Sequence, residues 1–181
     1  MDSVQVIWNA LKPKSIHLDL EKSTPLIKEG EQAKYLYFIE KGCLRSWFNH
    51  NGKDVSFQFF LPNQFVSSFE SLIYDSPSPY TLESVTSATV HRVSKQDLHA
   101  MMASRPELKE AMFKLTCDRL RHYQHLFLSR IKDTPEQRYL ALISDAPELL
   151  KLVPQKHLAS YLGITPVSLS RIRSRQQSQL T

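Results

Sequence analysis

The chain reads as an α+β protein with three parts in series: an N-terminal all-β unit over residues 1–105, one long helix over 106–132 and a C-terminal helix-turn-helix over 133–181. Three observations predict this order. Gly30, Gly42 and Gly52, three of the four glycines, fall in turns between short apolar and aromatic runs. After Ser94 the apolar period lengthens from two residues to three or four. Near the C-terminus Gly163, Thr165 and Pro166 separate two leucine-bearing runs, as helix stop and start signals do.

The totals set the frame. With 181 residues and 41% hydrophobic content, the chain can bury one ordinary core or two small ones. The formal net charge is +5, and it is unevenly placed: residues 150–181 hold no Asp or Glu, but include Lys151, Lys156, Arg171, Arg173 and Arg175. That end suits a polyanionic partner. Cys43 and Cys117 are far apart and lack metal-ligand spacing, so no disulfide framework, metal site or cofactor is expected. No leader-like segment and no membrane-length apolar run occurs, and a cytoplasmic protein without a membrane partner is expected.

Taken in order, Tyr35, Tyr37 and Ile39 alternate along one strand, and Val55, Phe57, Phe59 and Leu61 along another, each predicted to bury one face. Ser94 with Asp97 opens a short helix that should stop before Pro106. From there to about Lys132 no glycine or further proline interrupts. Leu108, Met112, Leu115, Tyr123 and Phe127 recur at helical steps, while charged residues populate the other faces. Such a stripe needs a partner surface, and a second copy of the same helix is the predicted one, giving a homodimer; the alternative is packing against the chain's own β-unit. Thr134, Pro135 and Gln137 then form a capping-box start, placing a hinge near Lys132-Asp133.

The most specific signal follows. Leu158 and Leu162 share a face of one helix, and Leu169 and Ile172 share a face of the next. Small Ala159 allows close approach, Gly163 lets the chain reverse, Thr165 caps the second helix and Pro166 opens it. This is the spacing of a helix-turn-helix. Gln155 and Lys156 on the first helix, and Thr165, Pro166, Val167, Ser168, Ser170, Arg171, Arg173 and Arg175 on the second, are the candidate contacts to double-stranded DNA. Arg171 is the best placed for a base edge, since a guanidinium pairs bidentately with guanine. The alternative reading is a ligand-sensing module whose helical pair grips another protein. Catalysis finds no nucleophile, base or phosphate loop, so no enzyme is expected. His122 and His125 are spaced i, i+3 but lack a third ligand.

The residues also carry a resemblance. Leu26-Ile27-Lys28-Glu29-Gly30-Glu31, the run Tyr35–Gly42 and Phe59-Phe60-Leu61-Pro62-Asn63-Gln64-Phe65, together with the helix-turn-helix, resemble the Crp/Fnr family of transcription regulators over nearly the whole chain. The resemblance implies that residues 1–105 form a cyclic-nucleotide-binding-like β-roll, a jelly-roll-like double-stranded β-helix that senses a signal. It further implies a DNA-binding homodimer controlled by a small-molecule effector, with RNA polymerase as a further partner. Departures from the family qualify it. Where cyclic-nucleotide-binding members hold phosphate and ribose with Gly-Glu and Arg-Ser pairs, this chain has Ser67-Ser68 and Ser78-Pro79, so an effector other than cyclic AMP is expected. Phe65, Ser67, Ser68, Phe69, Glu70, Ser78, Tyr80 and Thr81 are the candidate pocket, or else simply the filling of the roll. Pro166-Val167 replaces the family's Arg-Glu pair, so the operator should differ, and a winged-helix-like arrangement with a short or absent wing is expected.

Overall fold

The computed structural model of the chain describes residues 2–179. It begins earlier than the sequence reading, which recognises no element before about Thr24. Asp2 caps a first helix, α1 (Ser3–Leu11), by accepting from the Val4 amide at 3.1 Å. Ile7 and Leu11, one helical turn apart, are fully buried, and a short 3-10 turn leads into strand β1 (Ile16–Leu20). The i, i+3, i+4 pattern of Val4, Ile7 and Leu11 is visible in the sequence and was the missed signal.

Seven further strands follow: β2 (Pro25–Ile27), β3 (Tyr35–Lys41), β4 (Leu44–His50), β5 (Lys53–Phe60), β6 (Phe65–Val66), β7 (Thr81–Ser84) and β8 (Ala88–Ser94). A six-residue helix, α2 (Phe69–Tyr74), lies between β6 and β7. The strands form two antiparallel four-stranded sheets, ordered β1-β8-β3-β6 and β2-β7-β4-β5. Strands that alternate between sheets are the winding of a jelly-roll-like β-roll. Turns behave as their residues require. Gly42 sits at φ +90°, and a Cβ there would lie 2.6 Å from the Ser87 carbonyl oxygen, so only glycine fits between β3 and β4.

Two strands depart from simple alternation, each for a visible reason. In β3 Tyr37 and Ile39 are buried as expected, but so are Leu36 and Phe38, because α1 covers the outer face and Trp8 stacks on Phe38 at 4.1 Å. In β5 the pairing with β4 slips between Ser46 and Trp47, leaving Phe57 as the extra residue of a β-bulge. Ser56, Gln58 and Phe60 are therefore as buried as Phe59, and the single apolar face expected of Val55, Phe57, Phe59 and Leu61 does not form.

After the roll, Ser94 caps α3 (Lys95–Ser104) through the Asp97 amide, and Pro106 opens α4 (Pro106–Lys132), 27 residues long. The first turns of α4 correct one expectation. Leu108 and Met112, read as part of a stripe facing a second copy, are buried with Ile7, Leu11 and Leu98 in the chain's own core. The cause is α1, whose apolar face the sequence reading leaves out. The remaining helices are α5 (Pro135–Asp145) behind the Thr134–Gln137 capping box, a single turn α6 (Leu149–Leu152), α7 (Gln155–Leu162) and α8 (Pro166–Gln179). They do not hang free. Tyr139, Leu142, Leu149 and the α7–α8 leucines pack into a second core that also contains Cys43, Phe59 and Val85 of the roll.

Candidate nucleic-acid interface

Leu158, Ala159, Leu162, Leu169 and Ile172 are buried together, so α7 and α8 share one interior. The connection between them is a Schellman turn. Gly163 is left-handed at φ +70°, its amide donates to the Ser160 carbonyl at 2.9 Å, and the Ile164 amide donates to that of Ala159 at 2.9 Å. Thr165 then accepts from the Ser168 amide at 3.1 Å and Pro166 occupies the first helical position. These local signals set the angle at which α8 leaves α7.

The predicted contact residues separate into two groups. Val167, Ser170 and Arg171 lie one helical turn apart and are exposed on the outward face of α8, with Pro166 and Arg175 also exposed and Arg173 half-buried. Among the described residues no carboxylate pairs with Arg171, Arg173 or Arg175; Arg171 and Arg175, one turn apart, share the outward face without internal neutralisation, and Arg173 lies on the other flank of α8. Gln155, Thr165 and Ser168 serve the scaffold instead. Gln155 donates to the Pro166 carbonyl at 3.1 Å, and the Thr165 and Ser168 hydroxyls pair at 2.9 Å. Gln176 ties α8 to Glu136 of α5 at 2.7 Å, and Lys156 stays exposed at the start of α7.

The α7–α8 pair, the candidate reading head, is docked on the roll through polar groups that the sequence does not reveal. Arg45 of β4 is only 3% exposed and reaches Glu83 at 2.6 Å, Asp54 at 3.3 Å, Ser56 at 2.9 Å and Nδ1 of His157 on α7 at 2.6 Å. The Ser56 amide donates to Ser160 Oγ at 2.9 Å, and Phe59 meets Tyr161 edge-on. Burial, then the Arg45 and Lys156 charges, push His157 down to about 4, so its ring is neutral and accepts from Arg45. A histidine with a lowered folded value binds protons more readily when undocked, so this contact is intact above about 6.5 and weakens as pH falls toward about 4. We expect the denaturation midpoint to drop through that window, and the drop to shrink in His157→Asn measured alongside.

A second concavity lies where α4 crosses the roll. Phe69, Glu70 and Tyr80 of the predicted pocket line a cavity of about 310 Å³, joined by Phe57, Leu115, Arg119 and Tyr123. The other predicted members do not line it. Phe65 and Ser68 are buried in the roll, while the hydroxyls of Ser67 and Ser78 donate to the carbonyls of Tyr35 and Tyr80, and that of Thr81 accepts from the Glu29 amide. Backbone satisfaction, not ligand binding, uses those groups. Arg119 is the member the sequence reading missed. It donates to the Phe65 carbonyl at 3.0 Å and lies over the Phe60 ring, one helical turn from Leu115 and Tyr123. Cys43 is fully buried, which pushes its thiol up to about 12 and keeps it protonated.

Along α4, Phe113, Leu120 and Phe127 recur every seven residues, with Tyr123 and Ile131 flanking them, and all are exposed. This seam begins where the intrachain contacts of Leu108 and Met112 end. Leu115 lines the cavity beside Leu120 and Tyr123 but is half-buried, on the side of α4 away from Phe113.

Comparison with known proteins agrees with this plan. Residues 17–105 match the cyclic nucleotide-binding domain family. The anaerobic regulatory protein of Haemophilus influenzae is 24% identical over 170 residues, covering 87% of this chain and 65% of that protein. The fumarate and nitrate reduction regulatory protein of Escherichia coli is 24% identical over 87% of this chain and 67% of its own length. The chain thus spans about two thirds of the length of these relatives. Among solved structures, FixK2 from Bradyrhizobium japonicum superposes with a TM-score of 0.78 at 19% identity, covering 91% of this chain and 85% of that one. The c-di-GMP-responsive global regulator CLP of Xanthomonas campestris superposes with 0.76 at 15% identity, covering 97% and 92%. At those identities the likeness is one of fold. In sequence over residues 17–105 and in fold over nearly its whole length, the chain is thus similar to regulators of the Crp/Fnr type, with a roll of the cyclic-nucleotide-binding kind run by a long helix into a helix-turn-helix.

Proposed function

We propose that the protein is a DNA-binding transcription regulator that acts as a homodimer joined along α4 and responds to a small effector held between the roll and α4. The observation that carries the reading is the unpaired basic face of α8, seated on a helix-turn-helix core and fixed in direction by its caps. A second copy related by two-fold symmetry would present two such faces to successive turns of the major groove. The three parts proposed for these tasks are residues 1–105, 106–132 and 133–181. No helix among the described residues is long and apolar enough to cross a membrane, and the relatives named above are regulatory proteins.

The cavity has aromatic walls, the Arg119 cation and the Glu70 carboxylate, which suits an apolar body bearing a few polar groups. Cyclic AMP fits poorly: the positions that would hold its phosphate are Ser78-Pro79, and Ser78 hydrogen-bonds within the roll.

The test is selection of a binding site from random duplexes, followed by the Arg171→Ala variant on the selected site. Loss of about 1–3 kcal/mol, with relaxed preference at one base position, is expected. Unchanged DNA retention together with lost capture of a protein partner would support the alternative reading, in which the helical pair binds protein.

A further inference from the structure

Two histidines and a carboxylate meet on the outer face of the roll, away from both the reading head and the cavity. β1 pairs with β8 so that His17 faces His91, and β8 pairs with β3 so that His91 faces Phe38. The β3 register slips between Ile39 and Lys41, which makes Glu40 the extra residue of a bulge. Bulges re-aim side chains, and here Glu40 Oε2 comes to 2.7 Å from His91 Nε2. One donor atom from each of His17, Glu40 and His91 lies within 4.8 Å of the other two. Three adjacent strands therefore present a convergent donor set on rigid backbone, which scattered surface residues do not achieve.

The surroundings favour a ligand. The His91 side chain is 14% exposed and leans on Trp8, whose ring centroid is 4.9 Å away, while His17 and Glu40 open to solvent, with His17 Nε2 lying 3.1 Å from Asp19 Oδ2. One donor is thus fixed and two can adjust. Two imidazoles with a carboxylate match divalent ions of the zinc class, whereas calcium and magnesium prefer all-oxygen sets.

We infer that His17, Glu40 and His91 bind a divalent first-row transition metal, with water completing the coordination. The sequence reading expects no metal here because the histidines are distant in the chain, and only strand pairing unites them. β1 is the edge strand of its sheet, so the ion would tie that edge to two inner strands.

The experiment uses the untagged, chelator-stripped full chain, titrated with Co²⁺ and followed by visible absorption. In a Trp47→Phe background, where Trp8 is the remaining tryptophan, fluorescence gives a second signal beside His91. One Co²⁺ per chain, displaced by Zn²⁺, is expected. His17→Ala and His91→Ala should each weaken binding by more than about 100-fold, beyond the effect of losing an outer partner. Glu40→Gln should weaken it by at least about 10-fold, and His122→Ala should leave it unchanged. Circular dichroism of each variant separates lost ligation from lost fold. The absence of saturable binding below about 100 μM, or binding that persists in folded His91→Ala, would overturn the inference. Neither readout involves DNA, so the proposed function stands or falls separately.

Discussion

Leu120→Glu is expected to turn the proposed α4-joined dimer into a monomer and to weaken binding to a two-fold-symmetric DNA site by about 10²–10⁴-fold. Leu120 is 58% exposed at the middle of the α4 seam, between Phe113 at 69% and Phe127 at 67%. Aromatic and aliphatic side chains so bare, repeated every seven residues, are unfavourable in water and form the natural seam of a paired helix. A carboxylate placed there by both copies would be buried against its twin without a counter-charge. Each half-site would then bind alone, losing the effective concentration that tethering provides. Light scattering checks the mass, and titration of full and half operators checks the affinity. Phe113→Glu should behave alike, while Glu110→Gln, off the seam and exposed, should do neither. A dimer that survives Leu120→Glu would place the interface elsewhere.

Arg45→Ala is expected to destabilise the protein by about 3–5 kcal/mol. Its guanidinium is enclosed by Glu83, Asp54, Ser56 and His157, and the Glu83 side chain is only 14% exposed. Removing the cation strands a mostly buried carboxylate and leaves His157 without its donor, and both losses fall at the junction of two cores. Urea denaturation measures the total. Limited proteolysis separates its parts, since cleavage should appear first around residues 133–135, where α5 begins, if undocking of the reading head precedes unfolding of the roll. Arg45→Met, which keeps volume but not charge, should be nearly as damaging; a mild effect in both variants would mean that Glu83 finds solvent on its own.

What the sequence disclosed and what it concealed follow the range of the forces. The helix-turn-helix was legible because Gly163, Thr165, Pro166 and the four core residues act within a few positions of one another. The capping box of Thr134 and the glycine turns were legible for the same reason. The division of α4 was not. That helix carries apolar residues on two faces, and only α1 decides that Leu108 and Met112 belong to the chain's own core while Phe113, Leu120 and Phe127 face outward. The bulge in β5 likewise defeats alternation, because one unpaired residue reverses every face beyond it. Arg45, Arg119 and the His17–His91 pair are joined to their partners by strand pairing or helix crossing, and nothing in their neighbours announces it.

The turn at Gly163 has a mechanical side. A Cβ there would sit 2.7 Å from the guanidinium of Arg130, which belongs to the last turns of α4 and donates to the Tyr161 carbonyl at the end of α7. Arg138, from α5, holds the Leu162 carbonyl at 3.1 Å. The glycine is thus the socket of a latch: Arg130 and Arg138 grip the negative pole of α7, and Arg130 reaches it because a hydrogen leaves it room. A twist of the long rod about its axis would, through this latch, turn the outward face of α8 with it, like a key gripped at the bow.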